Sequence, residues 1–154
     1  MEIIEIPVVR LKMIKDYSLK ITDKEIYGVI EVAPIFDNLI GGSTLEKIAM
    51  LCIDSSNKVI NAAVLNIGSH KDVKIVPSEI FRIAILSNAS TIFICHNHPS
   101  GIVKPSDYDI EVTKRIGQIG NLLGIKLVDS LILGDFGEAL SMRTELKKAG
   151  ESDD

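Results

Sequence analysis

Two histidines and a carboxylate lie close together in the middle of the chain. His96 and His98 are separated by one residue at the end of an apolar run, and Asp109 follows them. Alternate side chains of an extended strand project from the same face, so both imidazoles can reach one ion. Two nitrogens and one carboxylate oxygen are a typical protein ligand set of catalytic zinc, which keeps its fourth position for water. The spacing therefore predicts a Zn²⁺ site with hydrolytic chemistry.

The elements on either side of these residues are predicted from hydrophobic periodicity. Residues 91–95 are a short β-branched and aromatic run, typical of a central strand that ends at the histidines. Residues 106–123 predict a helix with one apolar face and Gly124 as its C-terminal cap. Ser106 and Asp109 also have the Ser-x-x-Asp spacing of a helix cap, but the upstream histidines favour the ligand role for Asp109.

The remaining segments alternate between strand and helix patterns. The predicted elements are an opening strand at 3–14, a helix that begins with a capping box at 22–25 and is kinked or interrupted at Pro34, a hairpin of strands at 45–54 and 59–67, a helix from Pro77 to about Asn88, and strands at 126–133 and 139–142. This alternation indicates an α/β fold whose sheet is covered by helices on both faces.

Length and composition limit the possible classes of function. A chain of 154 residues with 46% hydrophobic residues suits one domain. The net charge of -4 and the 5% aromatic content predict no obvious nucleic-acid surface. The sequence shows no secretion signal and no membrane span, so we expect a cytoplasmic protein, while the oligomeric state stays unknown. Cys52 and Cys95 lie in apolar runs and are expected to pack as small hydrophobes, and His70 is expected at the surface of a polar loop.

The spacing from His96 to Asp109 resembles a known motif. His-x-His-Pro, six residues, Ser, two residues and Asp are the pattern of the JAMM motif in the JAB/MPN metalloprotease superfamily. Residues 96–101 and 122–125 resemble the bacterial RadC branch more closely. The resemblance implies a single three-layer domain at 1–145, with a mixed β-sheet flanked by helices in the JAB/MPN (cytidine deaminase-like) fold. A charged tail at 146–154 is expected to be disordered.

The resemblance also implies roles for residues outside the ligand set. The family uses a glutamate near the start of a strand as acid and base, and Glu46 matches that place, with Glu31 and Glu79 as alternatives. Ser106 would donate a hydrogen bond to the reacting water or to the developing oxyanion. The implied activity is that of a zinc metallopeptidase of the JAMM type, which hydrolyses a peptide or isopeptide amide bond in a peptide or protein substrate.

The sequence departs from full-length RadC-like proteins in two ways. Those proteins commonly carry a helix-hairpin-helix region ahead of this domain, and we expect none in a chain of this length. The residues after Gly101 are Ile102 and Val103, where the family is usually more polar, so the loop that frames the substrate is expected to differ.

Three other functions compete with the metallopeptidase hypothesis. A zinc deaminase would have Glu two residues after His and a Pro-Cys-x-x-Cys downstream, but position 98 is His and the sequence contains no Cys-x-x-Cys. A non-catalytic binding module would not need residues that bind a metal, so the complete set of ligand residues argues against this function. A RadC-type DNA repair or recombination accessory protein lacks support in charge and aromatic content.

Overall fold

The computed structural model describes residues 1–22, 25–67 and 74–150. Its elements in chain order are α1 (Val29–Ile40), β1 (Lys47–Ile53), β2 (Val59–Ile67), α2 (Pro77–Leu86), β3 (Thr91–Asn97), α3 (Asp107–Leu123), β4 (Lys126–Leu133), β5 (Ala139–Ser141) and α4 (Met142–Lys148). The polar loop at 68–72, with His70, lies outside the described residues.

The strands form one mixed sheet in the order β2-β1-β3-β4-β5. The β1 strand runs antiparallel to β2 and β3, β4 is parallel to β3, and β5 is antiparallel to β4. The parallel pair is joined through α3, because parallel neighbours need a long crossover. The structure confirms the predicted single domain, in which helices flank a mixed sheet, and places β3 at the centre.

Hydrophobic residues fill both faces of the sheet. On one face α1 packs against the central strands through residues such as Phe36, and on the other α2 and α3 do so through Ile80 and Ile116. Along β3, Ile92 and Ile94 belong to the α2 and α3 side, whereas Phe93 and Cys95 belong to the α1 side. Continuing this alternation places His96 on the side of α3, which carries Asp109.

Both cysteines are buried and free, as the sequence predicts. Burial raises the pKa of the Cys52 thiol to about 11 and that of Cys95 well above its ordinary value. Both thiols therefore stay protonated at neutral pH and pack as apolar groups. Cys95 lies on the α1 side of β3, away from the face of His96.

The ends of α3 agree with the sequence signals. The Ser106 side chain accepts a hydrogen bond from the backbone N–H of Asp109 at 3.1 Å and caps the helix. Gly124 ends it with φ of 72°, a left-handed conformation that glycine adopts without the steric cost of a Cβ atom. The helix therefore starts and stops where its cap residues place it.

The N-terminal part of the chain corrects two predictions. Residues 3–14 form no strand, because no described strand pairs with them, and their side chains are exposed. The first helix begins at Val29, after Gly28, whose N–H donates to the Glu31 carboxylate at 3.0 Å. Part of the predicted capping box, at 23–24, lies outside the described residues. The helix also continues through Pro34 to Ile40, so the predicted interruption is wrong.

The C-terminal region is more ordered than the sequence suggests. Met142–Lys148 forms α4, so residues 146–148 of the predicted tail lie in a helix. Ser141 caps this helix by accepting a hydrogen bond from the Thr144 N–H at 3.1 Å, and Met142 is fully buried. The cap stabilises the start of this short helix, and the buried methionine packs it against the sheet.

Buried Asp129 joins α4 to β4. Its carboxylate accepts hydrogen bonds from the Ser130 N–H at 2.8 Å, the Arg143 N–H at 3.0 Å and the Ser141 hydroxyl. Burial raises the pKa of Asp129, and these hydrogen bonds only partly offset that effect. The carboxylate therefore serves as a shared acceptor for the start of α4.

Asp129→Ala is expected to lower the free energy of unfolding by about 2–3 kcal/mol, because it leaves three donors without their acceptor. Asp129→Asn should cost less, since the amide oxygen still accepts from both backbone N–H groups and no charge is buried. Urea denaturation of the three proteins measures the difference. An asparagine variant as unstable as the alanine variant would contradict this role.

None of the helices in the described part of the chain has the length and apolar character needed to cross a bilayer.

Candidate metal centre

The end of β3 brings the two histidines together. His96 lies within β3 and is 4% exposed, whereas His98 follows the strand and is half-buried. The backbone N–H of His98 donates to the Leu133 carbonyl at 2.8 Å, which continues the pairing with β4. The two Nε2 atoms lie 3.1 Å apart. The strand thus holds both imidazoles with one nitrogen each at a common point.

Asp109 completes this group from the first turn of α3. Its Oδ1 atom lies 3.2 Å from His96 Nε2, and its Oδ2 atom lies 3.5 Å from His98 Nε2. The Ser106 N–H donates to Asp109 Oδ2 at 2.9 Å, reciprocating the bond from the Asp109 N–H to the Ser106 hydroxyl. One carboxylate therefore takes part in the helix cap and also faces both histidines, so the two roles suggested by the sequence are compatible.

The charges of this group depend on one another. Burial disfavours the Asp109 carboxylate, but hydrogen bonds from His96 and His98 outweigh burial and hold the pKa of Asp109 well below its usual range. The hydrogen bond with Asp109 raises the pKa of His98, and burial opposes this rise. The carboxylate is thus ionised at neutral pH, which is the state that binds a cation.

The hydrogen bonds of His98 suit metal ligation. Its Nδ1 atom lies 2.7 Å from the Ile102 carbonyl oxygen, which can only accept, so Nδ1 carries the proton. When the protonated imidazole loses the Nε2 proton that bonds to Asp109, the lone pair lies on Nε2, the atom that faces His96 and Asp109. A ligating histidine usually has its other nitrogen bound in this way. The residues present therefore fit a divalent cation held by two imidazoles and a carboxylate.

The loop after His98 turns at Gly101, which positions Ile102. Gly101 has φ of 81°, and its N–H donates to the His98 carbonyl at 2.9 Å. A Cβ atom at this position would overlap the Asp135 carboxylate. The sequence Pro-Ser-Gly after the second histidine therefore supports the site through the turn that glycine permits.

Glu46 is the glutamate that the structure brings to the histidines. Antiparallel pairing of Ile48 with His96 places Glu46, two residues earlier, opposite His98. Each of Glu46, His96 and His98 offers one possible ligand atom, and these three atoms lie within 4.8 Å of one another. Glu31, one of the two alternative candidates for the acid and base, instead accepts a hydrogen bond from the Gly28 N–H at the start of α1.

A surface cavity adjoins this group. It has a volume of about 350 Å³ and is lined by Thr44, Glu46, His98, Pro99 and Ser100. Glu46 and His98 both line it and both are half-buried, so a molecule in the cavity can reach the metal group from solvent. Ser106 is exposed at the start of α3; its oxygen accepts from the Asp109 N–H, which leaves its hydroxyl proton available to donate.

Asn97 is a residue of the site that sequence reasoning missed. It is 4% exposed, and its Oδ1 atom accepts from the Lys47 N–H at 2.7 Å. Its Nδ2 atom donates to the Leu45 carbonyl at 3.0 Å and to the Ser43 carbonyl at 3.4 Å. The amide thus ties the segment that carries Glu46 to β3. The sequence did contain a signal for this role. Asn97 is a polar residue at the end of an apolar strand, and a buried amide needs hydrogen-bond partners.

Asn97→Asp is expected to weaken this connection, because a carboxylate accepts from the Lys47 N–H but cannot donate to the Leu45 and Ser43 carbonyls. Because the hydrogen bonds of Asn97 go to the backbone of residues 43–47 and not to the metal group, zinc affinity should change less than turnover. We expect turnover to fall about 10-fold, the loss from a misplaced acid and base. Parallel zinc titration and kinetics measure the two effects. Equal losses in both would contradict a positioning role toward Glu46.

Zinc affinity is expected to fall as the pH is lowered, because a proton competes for His98. The hydrogen bond with Asp109 raises the pKa of His98, so this competition begins above the ordinary value of about 6.5. Zinc titration by calorimetry between about pH 6 and pH 8 measures the slope, corrected for buffer ionisation. Affinity that does not change over this range would contradict the assignment of His98 as a ligand.

Comparisons with known proteins agree with this fold. A family model described as RadC-like JAB domain matches residues 27–148. The chain is 40% identical to a UPF0758 protein of Finegoldia magna over 73% of its own length and 50% of that protein. It is 39% identical to a UPF0758 protein of Picosynechococcus over 84% of its length and 54% of that protein.

A third UPF0758 protein, from Caldanaerobacter subterraneus, is 42% identical over 64% of this chain and 42% of its own length. The chain therefore spans about half of the length of these curated relatives. The family match extends from before α1 to the end of α4 and includes every residue of the metal group. The chain belongs to the RadC-like JAB domain family.

Proposed function

We propose that the protein is a zinc-dependent hydrolase that cleaves an amide bond in a peptide or protein substrate. The observation that carries this proposal is the meeting of His96 Nε2, His98 Nε2 and the Asp109 carboxylate at 3.1 to 3.5 Å, beside a solvent-open cavity. These three residues would hold the ion. Family membership supports the choice, since this fold and motif resemble those of JAMM metallopeptidases.

The donor set favours zinc among the common cations. Two imidazole nitrogens and one carboxylate oxygen suit Zn²⁺ better than Mg²⁺ or Ca²⁺, which prefer oxygen ligands alone. Three protein ligands leave one position for water or substrate, as in catalytic sites. When bound, the ion would supply a Lewis acid and lower the pKa of water to about 7.

Glu46 is assigned as the acid and base rather than as a third ligand. Asp109 contacts both imidazoles directly and is fixed by the helix cap, whereas Glu46 faces the cavity. In the reaction the Glu46 carboxylate takes a proton from water as the water oxygen bonds to the amide carbon. It then gives that proton to the nitrogen as the carbon–nitrogen bond breaks.

Ser106 and the cavity account for the remaining requirements. The Ser106 hydroxyl proton is available to stabilise the negative charge that develops on the carbonyl oxygen. The cavity of about 350 Å³ lies within the range of small-ligand sites and can admit a few residues of an extended peptide. Its opening to solvent allows the rest of a protein substrate to remain outside.

The test begins with protein purified without added metal. Elemental analysis is expected to find one zinc ion per chain, and removal of that zinc with a chelator should end cleavage of a fluorogenic peptide library. Addition of Zn²⁺ alone should restore cleavage. A protein that binds no zinc in titration, or whose peptide cleavage persists after metal removal, would overturn the proposal. Salt-dependent binding to DNA without any cleavage would favour the accessory role instead.

A further inference from the structure

The first fourteen residues form an apolar segment that the rest of the described chain does not cover. We call residues 1–14 the N-terminal arm. Seven of its apolar side chains are between 71% and 95% exposed: Ile3, Ile4, Ile6, Val8, Val9, Leu11 and Ile14. So many exposed apolar side chains in one short segment are unusual on a monomer and mark an interaction site. The β-branched content of the arm also favours a strand.

The solvent-exposed area of the chain also indicates an interaction surface. The chain exposes 10136 Å², about a third more than the roughly 7,600 Å² typical of a folded monomer of 16.8 kDa. A stable interface covers about 800 Å² on each partner. The excess is therefore large enough to supply the area of a stable dimer interface.

The β2 strand offers a matching surface on the same chain. It pairs with β1 along one side, and no strand among the described residues pairs with its other side. This free edge is nine residues long, whereas β5 at the opposite end of the sheet has three. Ile60 and Val64 of β2 are 40% and 38% exposed. A long, partly apolar free edge is a template for pairing with another strand.

The arm leaves the domain beside this edge. The Ser87 hydroxyl lies 3.8 Å from the Met13 sulfur, and the same hydroxyl accepts from the Asn61 amide of β2 at 2.9 Å. Met13 is thus close to β2, and the residues before it project from the surface. The arm and the free edge are neighbours, yet the arm is not paired with the edge of its own chain.

We propose that the arm pairs as an added strand with the free β2 edge of a second copy of this chain, and that each copy gives one arm and receives one. The second copy is the partner that these observations favour, because every chain carries both the uncovered arm and the unpaired edge. A two-fold exchange satisfies both arms and both edges and closes the assembly. The arm would then form the outer edge, where Pro7 is tolerated.

The test compares two double variants of the full chain by light scattering during size exclusion. The parent is expected to have twice the chain mass of 16.8 kDa. Ile6→Lys with Val8→Lys should halve that mass, because two charges would enter the new strand pair. The matched control, Ile30→Lys with Leu122→Lys, changes two helix residues that are 87% and 88% exposed, adds the same charge and should remain a dimer.

Hydrogen exchange of β2 locates the contact. In the parent, the free-edge amides of residues 59–65 should be protected, and in the arm variant they should exchange as freely as those of an unpaired edge. A monomeric parent, a dimeric arm variant, a control that also loses its dimer, or a dimer with unprotected β2 would each overturn the proposal. Circular dichroism verifies folding, which the arm changes should leave intact because these side chains lie outside the core.

Discussion

Replacing His96 or His98 with alanine is expected to abolish zinc binding and amide hydrolysis together. Each imidazole contributes one of the converging Nε2 atoms, and removal of either leaves a nitrogen and a carboxylate that cannot hold the ion tightly. The loss of affinity should exceed the roughly 10- to 100-fold that follows loss of an outer hydrogen-bond partner. Zinc titration and peptide cleavage, measured on the same preparations, test this result.

The control for this experiment is His70→Ala, since His70 is predicted from the sequence to be a surface residue in a polar loop. That variant should keep full zinc content and full activity. Circular dichroism must show that the His96 variant is folded, because His96 is buried. A folded His98→Ala protein that binds zinc as tightly as the parent would show that the ion lies elsewhere.

Glu46→Gln separates catalysis from metal binding. The amide keeps the size and position of the side chain but cannot accept a proton from water, so turnover is expected to fall about 10²- to 10⁴-fold. Zinc content should be unchanged, because the two histidines and Asp109 remain. Elemental analysis beside steady-state kinetics distinguishes the two effects.

Glu79→Gln provides a matched control, since Glu79 lies in the first turn of α2 and its loss removes only a favourable charge near a helix N-terminus. This variant should retain both zinc and activity. Loss of zinc from Glu46→Gln would show that Glu46 is a ligand, a geometry that its distance to the histidines also permits. Full activity of Glu46→Gln would show that another group transfers the proton.

Local patterns in the sequence predict the part of the site that lies on β3 and α3. The two histidines need only the alternation of a strand, and Asp109 needs only a helix that starts at its cap residue. Both signals involve residues close together in sequence. The structure brings the three side chains within 3.1 to 3.5 Å of one another.

Local sequence patterns could not predict the parts of the site that depend on strand pairing. Glu46 comes opposite His98 only because Ile48 pairs with His96, a register between strands about fifty residues apart. Sequence alone suggested three glutamates, and the resemblance to a family was needed to choose among them. Asn97 was missed for the same reason, because its partners are the backbone of residues 43–47.

The errors at the two ends of the chain have a similar cause. Residues 3–14 have the composition of a strand, but strand propensity does not by itself make a strand, and these residues pair with no strand of the described chain. The segment after Ser141 has the composition of a tail, yet Asp129 supplies acceptors for the start of α4 from a distant strand. In both cases the outcome depended on a partner that lies elsewhere in the sequence.

The shared role of Asp109 in the helix cap also bears on how quickly the centre can be filled. The backbone of α3 and the turn at Gly101 orient the carboxylate and one imidazole before any ion arrives. Loading then requires little loss of side-chain entropy, unlike the folding of small zinc-stapled domains around their ions. Under the proposed function, the occupancy of the centre would therefore follow the supply of free zinc in its surroundings, while the fold around it persists.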